Sequence, residues 1–145
     1  MESEMSSAGL GERMRKARDI DEYLAENQEH MLDQSLKEHL TALLIEKNVS
    51  IADVAKGGEL DRVYIYQIFD GKKRPSRDKL IAIAFGFGLD EDETQKLLKV
   101  SRNKELYVRD RRDAVILFAI QRKKTLMETN YLLADHGMAT LRNME

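Results

Sequence analysis

Residues 36–83 read LKEHLTALLIEKNVSIADVAKGGELDRVYIYQIFDGKKRPSRDKLIAI, and the spacing in this stretch says more than its composition. Ser50 followed three residues on by Asp53 can satisfy the free N–H groups of a helix start reciprocally. The helix capped there gives way after Ala55 to Lys56-Gly57-Gly58-Glu59, and a new helix begins at Asp61. That second helix runs through Phe69 and is ended by Asp70-Gly71, because glycine readily takes the left-handed conformation after a helix. On it Leu60, Ile65 and Ile68 supply the buried face, while Arg62, Val63, Tyr66 and Gln67 share the opposite one. Two short helices joined by a tight glycine-containing turn can place the second in a DNA major groove.

The open face is chemically suited to base edges. Arg62 can donate two hydrogen bonds to guanine O6 and N7, Gln67 can pair with adenine N6 and N7, and Val63 can touch a thymine methyl. Lys72, Lys73 and Arg74 follow at once, then Arg77 and Lys79, at the places where a duplex backbone would run; such cations fix register on phosphates without reading sequence.

Residues Ser50–Ser76 resemble the helix-turn-helix of the lambda-repressor/Cro-like (XRE) family of bacterial and phage regulators. Its most specific part is Tyr64-Ile65-Tyr66-Gln67-Ile68-Phe69-Asp70-Gly71-Lys72-Lys73-Arg74-Pro75-Ser76, which keeps the family's glycine, basic cluster and Pro-Ser in order. The resemblance implies an all-α protein with a five-helix domain over about Leu36–Val100 and additional helices at both ends. It puts base reading on Arg62, Val63 and Gln67 and phosphate contacts on Lys72 and Arg74, with Tyr64 and Tyr66 at the edge. Two departures stand out. Ile51 replaces the glutamine that often opens the family's second helix and bonds a phosphate, and Leu44 with Phe69 replaces an Arg-Glu pair by a hydrophobic contact.

Working outward, further cap pairs at Ser35/Glu38, Asp90/Glu93, Asp110/Asp113 and Thr125/Glu128 each precede an apolar pattern of helical period. Pro75 and Ser76 start a helix from Asp78 to about Phe87. Leu10, Met14 and Ala17 space one helix near the start, Asp21 with Tyr23-Leu24 a second, and Met1–Ser7 is expected to be disordered. Eight or nine helices result, divided into an acidic N-terminal extension (1–34), the helix-turn-helix domain (35–102) and a C-terminal helical extension (103–145) packed on it. Shifting the chain by 35 lays Arg77-Asp78 on Arg112-Asp113, Ala84 on Ala119, Thr94 on Thr129, Leu97-Leu98 on Leu132-Leu133 and Leu106 on Leu141. A helix-loop-helix used twice would give these matches, and so would coincidence among the Leu and Ala of any helical protein. The run Ala114–Ile120, apolar on every side, is expected to be central.

Composition bounds the rest. With 145 residues, one proline, no cysteine and 34% charged residues, the chain reads as an ordered globular protein that needs no disulfide or Cys-based metal site. Met1–Ser7 has no leader-like apolar stretch, and the longest apolar run is far short of the roughly 20 residues of a membrane span. These features point to a cytoplasmic protein with no membrane association. Four basic residues against nine acidic ones precede Ser35, so that lead carries −5 and the rest of the chain +3. Affinity for a polyanion must therefore be local.

Nothing reads as an active site. His30, His39 and His136 lack ligand spacing, Gly86-Phe87-Gly88 reads as a helix stop rather than a dinucleotide loop, and there is neither a Cys nor a G-x-S-x-G nucleophile. The expected function is sequence-specific binding of double-stranded DNA by a transcriptional regulator, without enzymatic activity or cofactor. One such module buries only roughly 600–1,000 Å², so useful affinity calls for two copies about 34 Å apart on a pseudo-palindrome, hence a homodimer. The N-terminal helices and those after Asp110 are the surfaces left for dimerisation or a protein partner. The alternative is a protein-interaction module, adaptor or antitoxin-like, that reuses the fold.

Overall fold

A computed structural model describes residues 6–27 and 35–141, all of whose regular elements are helices. They are α1 (Ser7–Lys16), α2 (Ile20–Glu26), α3 (Leu36–Lys47), α4 (Ile51–Gly57), α5 (Arg62–Phe69), α6 (Arg77–Phe87), α7 (Glu91–Val100), α8 (Arg111–Gln121) and α9 (Leu126–Asp135). The chain divides into two compact units, residues 1–34 and 35–145. Among the described residues no helix is long and apolar enough to cross a membrane.

In the first unit Ser6 caps α1 and Asp19 caps α2. Ser7 is thus helical rather than disordered; the part of that expectation covering residues 1–5 lies outside the described residues. The helices are tied by Arg13, which donates to the Asn27 side chain at 2.7 Å, while Asn27 donates to the Tyr23 carbonyl.

In the second unit the expected caps set the helix starts. Complete capping boxes form at Ser35/Glu38, Ser50/Asp53, Asp90/Glu93 and Thr125/Glu128; a cap residue contributes about 1 kcal/mol. The backbone N–H bonds that they accept hold Glu38, Asp53 and Glu128 below the usual carboxylate range. At Asp110/Asp113 only half of the box forms. Asp110 accepts the Asp113 N–H, but the Asp113 carboxylate is turned to Arg77 and to the Tyr107 N–H.

The core centres on α6, whose Leu80, Ile81 and Ile83 are fully buried. Helix α4 crosses α6 at close range because glycines meet there: a Cβ on Gly86 would lie 2.3 Å from the Val54 carbonyl oxygen, and one on Gly58 2.7 Å from that of Ala82. Gly86 is therefore a packing residue inside the helix, and Gly88, at φ +73°, is the stop. In the turn from α4 to α5 the left-handed residue is Glu59 (φ 50°), not either glycine. The expectation for Ala114–Ile120 is corrected in part. Ile116, Leu117, Ala119 and Ile120 are buried, but Phe118 is 44% exposed, so α8 keeps an open face and α6 is the central helix.

The 35-residue shift extends from sequence to structure. Helices α7 and α9 match in length and caps. Thr94 and Thr129 each turn their hydroxyl back to the cap carbonyl, at 2.7 and 2.8 Å. Gln95 brackets both backbone polar groups of Leu106, and Asn130 those of Leu141. Arg77 donates to the carbonyls of Lys104 and Glu105, Arg112 to those of Ala139 and Thr140. The two guanidinium groups also cross between copies, each as a two-bond fork: Arg77 to Asp113 at 2.9–3.1 Å and Arg112 to Asp78 at 2.9 Å. Matching Leu and Ala in unrelated hairpins would not reproduce these polar pairings position by position, so the helix-loop-helix is used twice.

Candidate nucleic-acid interface

Asp61 sets the start of α5 by accepting the Tyr64 N–H at 2.9 Å. Burial of Ile65, Ile68 and Phe69 then fixes its rotation. With that face inward, Arg62, Val63 and Tyr66 stand exposed and Gln67 half-buried beside them. Four of the residues singled out for base or edge contact thus share one side of a short helix held on a rigid support. Tyr64 does not join them. It is half-buried against the core, and the Lys79 ammonium lies 4.6 Å from its ring centroid.

The basic turn is pinned to the end of the same helix. The Gln67 carbonyl accepts the N–H of Lys72 at 2.9 Å and of Lys73 at 3.2 Å, which brings both cations to the negative end of the helix dipole. Lys72, Lys73 and Arg74 are all exposed. Lys72 meets Asp70 at 3.2 Å with both side chains more than half exposed, a pairing of small energetic weight. Two cations expected on the backbone path are committed elsewhere: Arg77 holds Asp113 and the 104–105 backbone, and Lys79 is buried over Tyr64. Burial alone would push the Asp113 carboxyl up. The Arg77 guanidinium, the Tyr107 N–H and nearby positive charge outweigh this and hold it below the ordinary carboxylate value. Local sequence held no sign of that role for Arg77, whose partners lie 27–36 residues away.

Between the start of α4 and the open face of α5 runs a groove of about 530 Å³, with Leu44, Ile51, Val63, Tyr66, Gln67 and Lys72 on its walls. Leu44 and Phe69, which stand in place of an Arg-Glu pair, both line it, Phe69 as a buried core residue and Leu44 packed against that core. The histidines do not converge: His39 is buried in α3, His136 ends α9 with Nδ1 2.8 Å from the Leu132 carbonyl oxygen, and His30 lies outside the described residues. Among the described residues no three acids or histidines gather as a metal ion would require.

A helix-turn-helix family model matches residues 40–94, covering α4 to α6 whole with most of α3 and the start of α7. No curated protein and no solved structure matches the chain.

Proposed function

We propose, from the premise that residues 40–94 are a helix-turn-helix domain of the lambda-repressor/Cro-like family, that this protein is a sequence-specific double-stranded DNA-binding transcriptional regulator. The helix capped at Asp61 and running to Phe69 enters the major groove. Arg62, Val63 and Gln67 meet base edges, while Lys72, Lys73 and Arg74 hold backbone phosphates and Tyr66 lies at the groove edge. Tyr64 reaches the backbone only from the margin, since its ring is engaged by Lys79. The protein acts as a cytoplasmic homodimer by binding alone, with no catalytic step and no cofactor.

The observation that carries this reading is the joining of two different chemistries on one support. A reading face and a basic turn are fastened together through the Gln67 carbonyl, so groove entry and phosphate contact come from one rigid piece. Fluorescence-anisotropy titration of a selected duplex against a scrambled one tests the roles separately. Arg62→Ala should cost about 1–3 kcal/mol on the selected duplex and relax preference at one base pair, whereas Lys72→Ala should weaken both duplexes alike and flatten the salt slope by about one unit. Equal loss on both duplexes for Arg62→Ala would remove the base-reading assignment.

The groove along Leu44, Ile51, Val63 and Tyr66 favours a second reading, a protein-interaction module that seats an apolar segment on this face. It is distinguished by Val63→Asp. Under the regulator reading this variant loses DNA; under the interaction reading no duplex is bound by the parent protein at all.

A further inference from the structure

The start of α3, the turn from α5 to α6 and the end of α7 enclose a cleft of about 330 Å³. Its floor is apolar, with Ile68 and Val100, and its rim carries four cations: Lys37, Lys73, Arg74 and Arg102. No acidic residue lines it, although the chain as a whole is net negative. The four side chains come from three separate elements, are all exposed, and make no ion pair among the described residues. Bringing four like charges to one small cleft costs repulsion that an anion seated there would relieve. The placement of Lys37 is specific, because its stem lies along Gly71 at the end of the proposed recognition helix, with Cδ 3.5 Å from where a Cβ on Gly71 would be.

Arg102 supplies an independent observation. Its backbone is left-handed at φ 62°, and the equivalent residue of the second hairpin copy, 35 positions on, is Gly137 at φ 69°. The second copy has there the residue that this conformation favours, and the first copy keeps an arginine at the mouth of the cleft.

We infer that this cleft is a phosphate site, and that a backbone phosphate of the bound duplex occupies it, held by Lys37 and Arg102 together with Lys73 and Arg74. The inference rests on the DNA-binding reading and extends it beyond the segment the family model matches, since Lys37 precedes residue 40 and Arg102 follows residue 94. The duplex contact then runs from the recognition helix across the basic turn to both ends of the domain.

The test uses Arg102→Gly, which removes the cation while giving the backbone the residue it favours, and Lys37→Gln beside it. Each is titrated against the selected and a scrambled duplex over a range of NaCl, with thermal unfolding as a check on the fold. We expect each variant to lose about fivefold in affinity on both duplexes at low salt, with the salt slope reduced by about one unit and unfolding unchanged. If the parent protein binds DNA and both variants bind with its affinity and slope, the cleft assignment fails while the regulator reading stands. If the parent binds no duplex, the regulator reading itself fails. Replacing NaCl by sodium phosphate at equal ionic strength separates the sources. Phosphate that protects the parent from unfolding, but not Arg102→Gly, with no change in DNA affinity for the variants, would make the cleft a site for free phosphate and overturn its assignment to the duplex.

Discussion

Where α6 carries Gly86, α8 carries Gln121, and where α7 carries Asp92 and Lys96, α9 carries Met127 and Tyr131. The two hairpins otherwise share caps, amide brackets and crossed Arg-Asp forks. In the first copy the glycine admits α4 and so seats the helix-turn-helix. In the second Gln121 donates to Glu91 instead, at 2.9 Å, and Phe118, in the register of the buried Ile83, is 44% exposed. Met127 and Tyr131, at 57% and 66% exposure, stand where the first copy presents charge to water. The difference teaches that polar fastenings define the hairpin, while a few positions on its outer faces decide what it supports. One copy positions the helix-turn-helix; the other carries an exposed apolar surface in its place.

The largest expected effect breaks the crossed forks. Arg77→Ala leaves the buried Asp113 carboxylate without its cation and should cost about 3 kcal/mol in urea unfolding. Arg112→Ala, whose partner Asp78 is 38% exposed, should cost about 1–2 kcal/mol. Equal losses would show that the two forks do not differ as their burial requires. The same site gives an acid dependence. The folded Asp113 carboxyl lies below its ordinary value, so its contribution is complete above about pH 4 and is lost as pH falls through the lower folded value. Asp113→Asn should flatten that part of a stability-versus-pH curve.

Next comes the helix crossing. Gly86→Ala forces a methyl against the Val54 carbonyl and should cost about 1–3 kcal/mol, whereas Gln121→Ala at the equivalent place should stay within about 0.5 kcal/mol. A smaller effect is expected at the left-handed turns, where Gly137→Ala should lose about 1 kcal/mol and Arg102→Gly nothing. The smallest concerns the outer face of α9: Met127→Asp with Tyr131→Lys, which writes the first copy's residues into the second, should shift each melting measurement by no more than about 0.5 kcal/mol. A large loss there would mean that these side chains are covered in the working protein.

Much of this was legible in the sequence because helix caps and helical periodicity are local. Ser35, Ser50, Asp61, Asp90 and Thr125 all cap the helices expected of them, and the open face of α5 follows from the spacing of Ile65 and Ile68. What was not legible depends on distant partners. The diversion of Arg77 from DNA to Asp113, the stacking of Lys79 on Tyr64, and the meeting of Lys37 with Arg102 around one cleft each join residues that no local pattern links. In the sequence Gly86 looks like punctuation, because sequence shows a glycine's freedom but not the backbone pressed against it. The exposure of Phe118 has a related cause: an all-apolar run predicts burial only if the fold has something to cover every side.

The most direct measurement is selection from a random duplex library with the purified full chain, run beside a variant carrying Lys72→Glu, Lys73→Glu and Arg74→Glu. Binding through the Asp61–Phe69 helix of a homodimer predicts enrichment of a two-fold site with half-sites about 34 Å apart, and no enrichment by the variant. Absence of any enriched site with the parent protein, or equal enrichment by the variant, would contradict it.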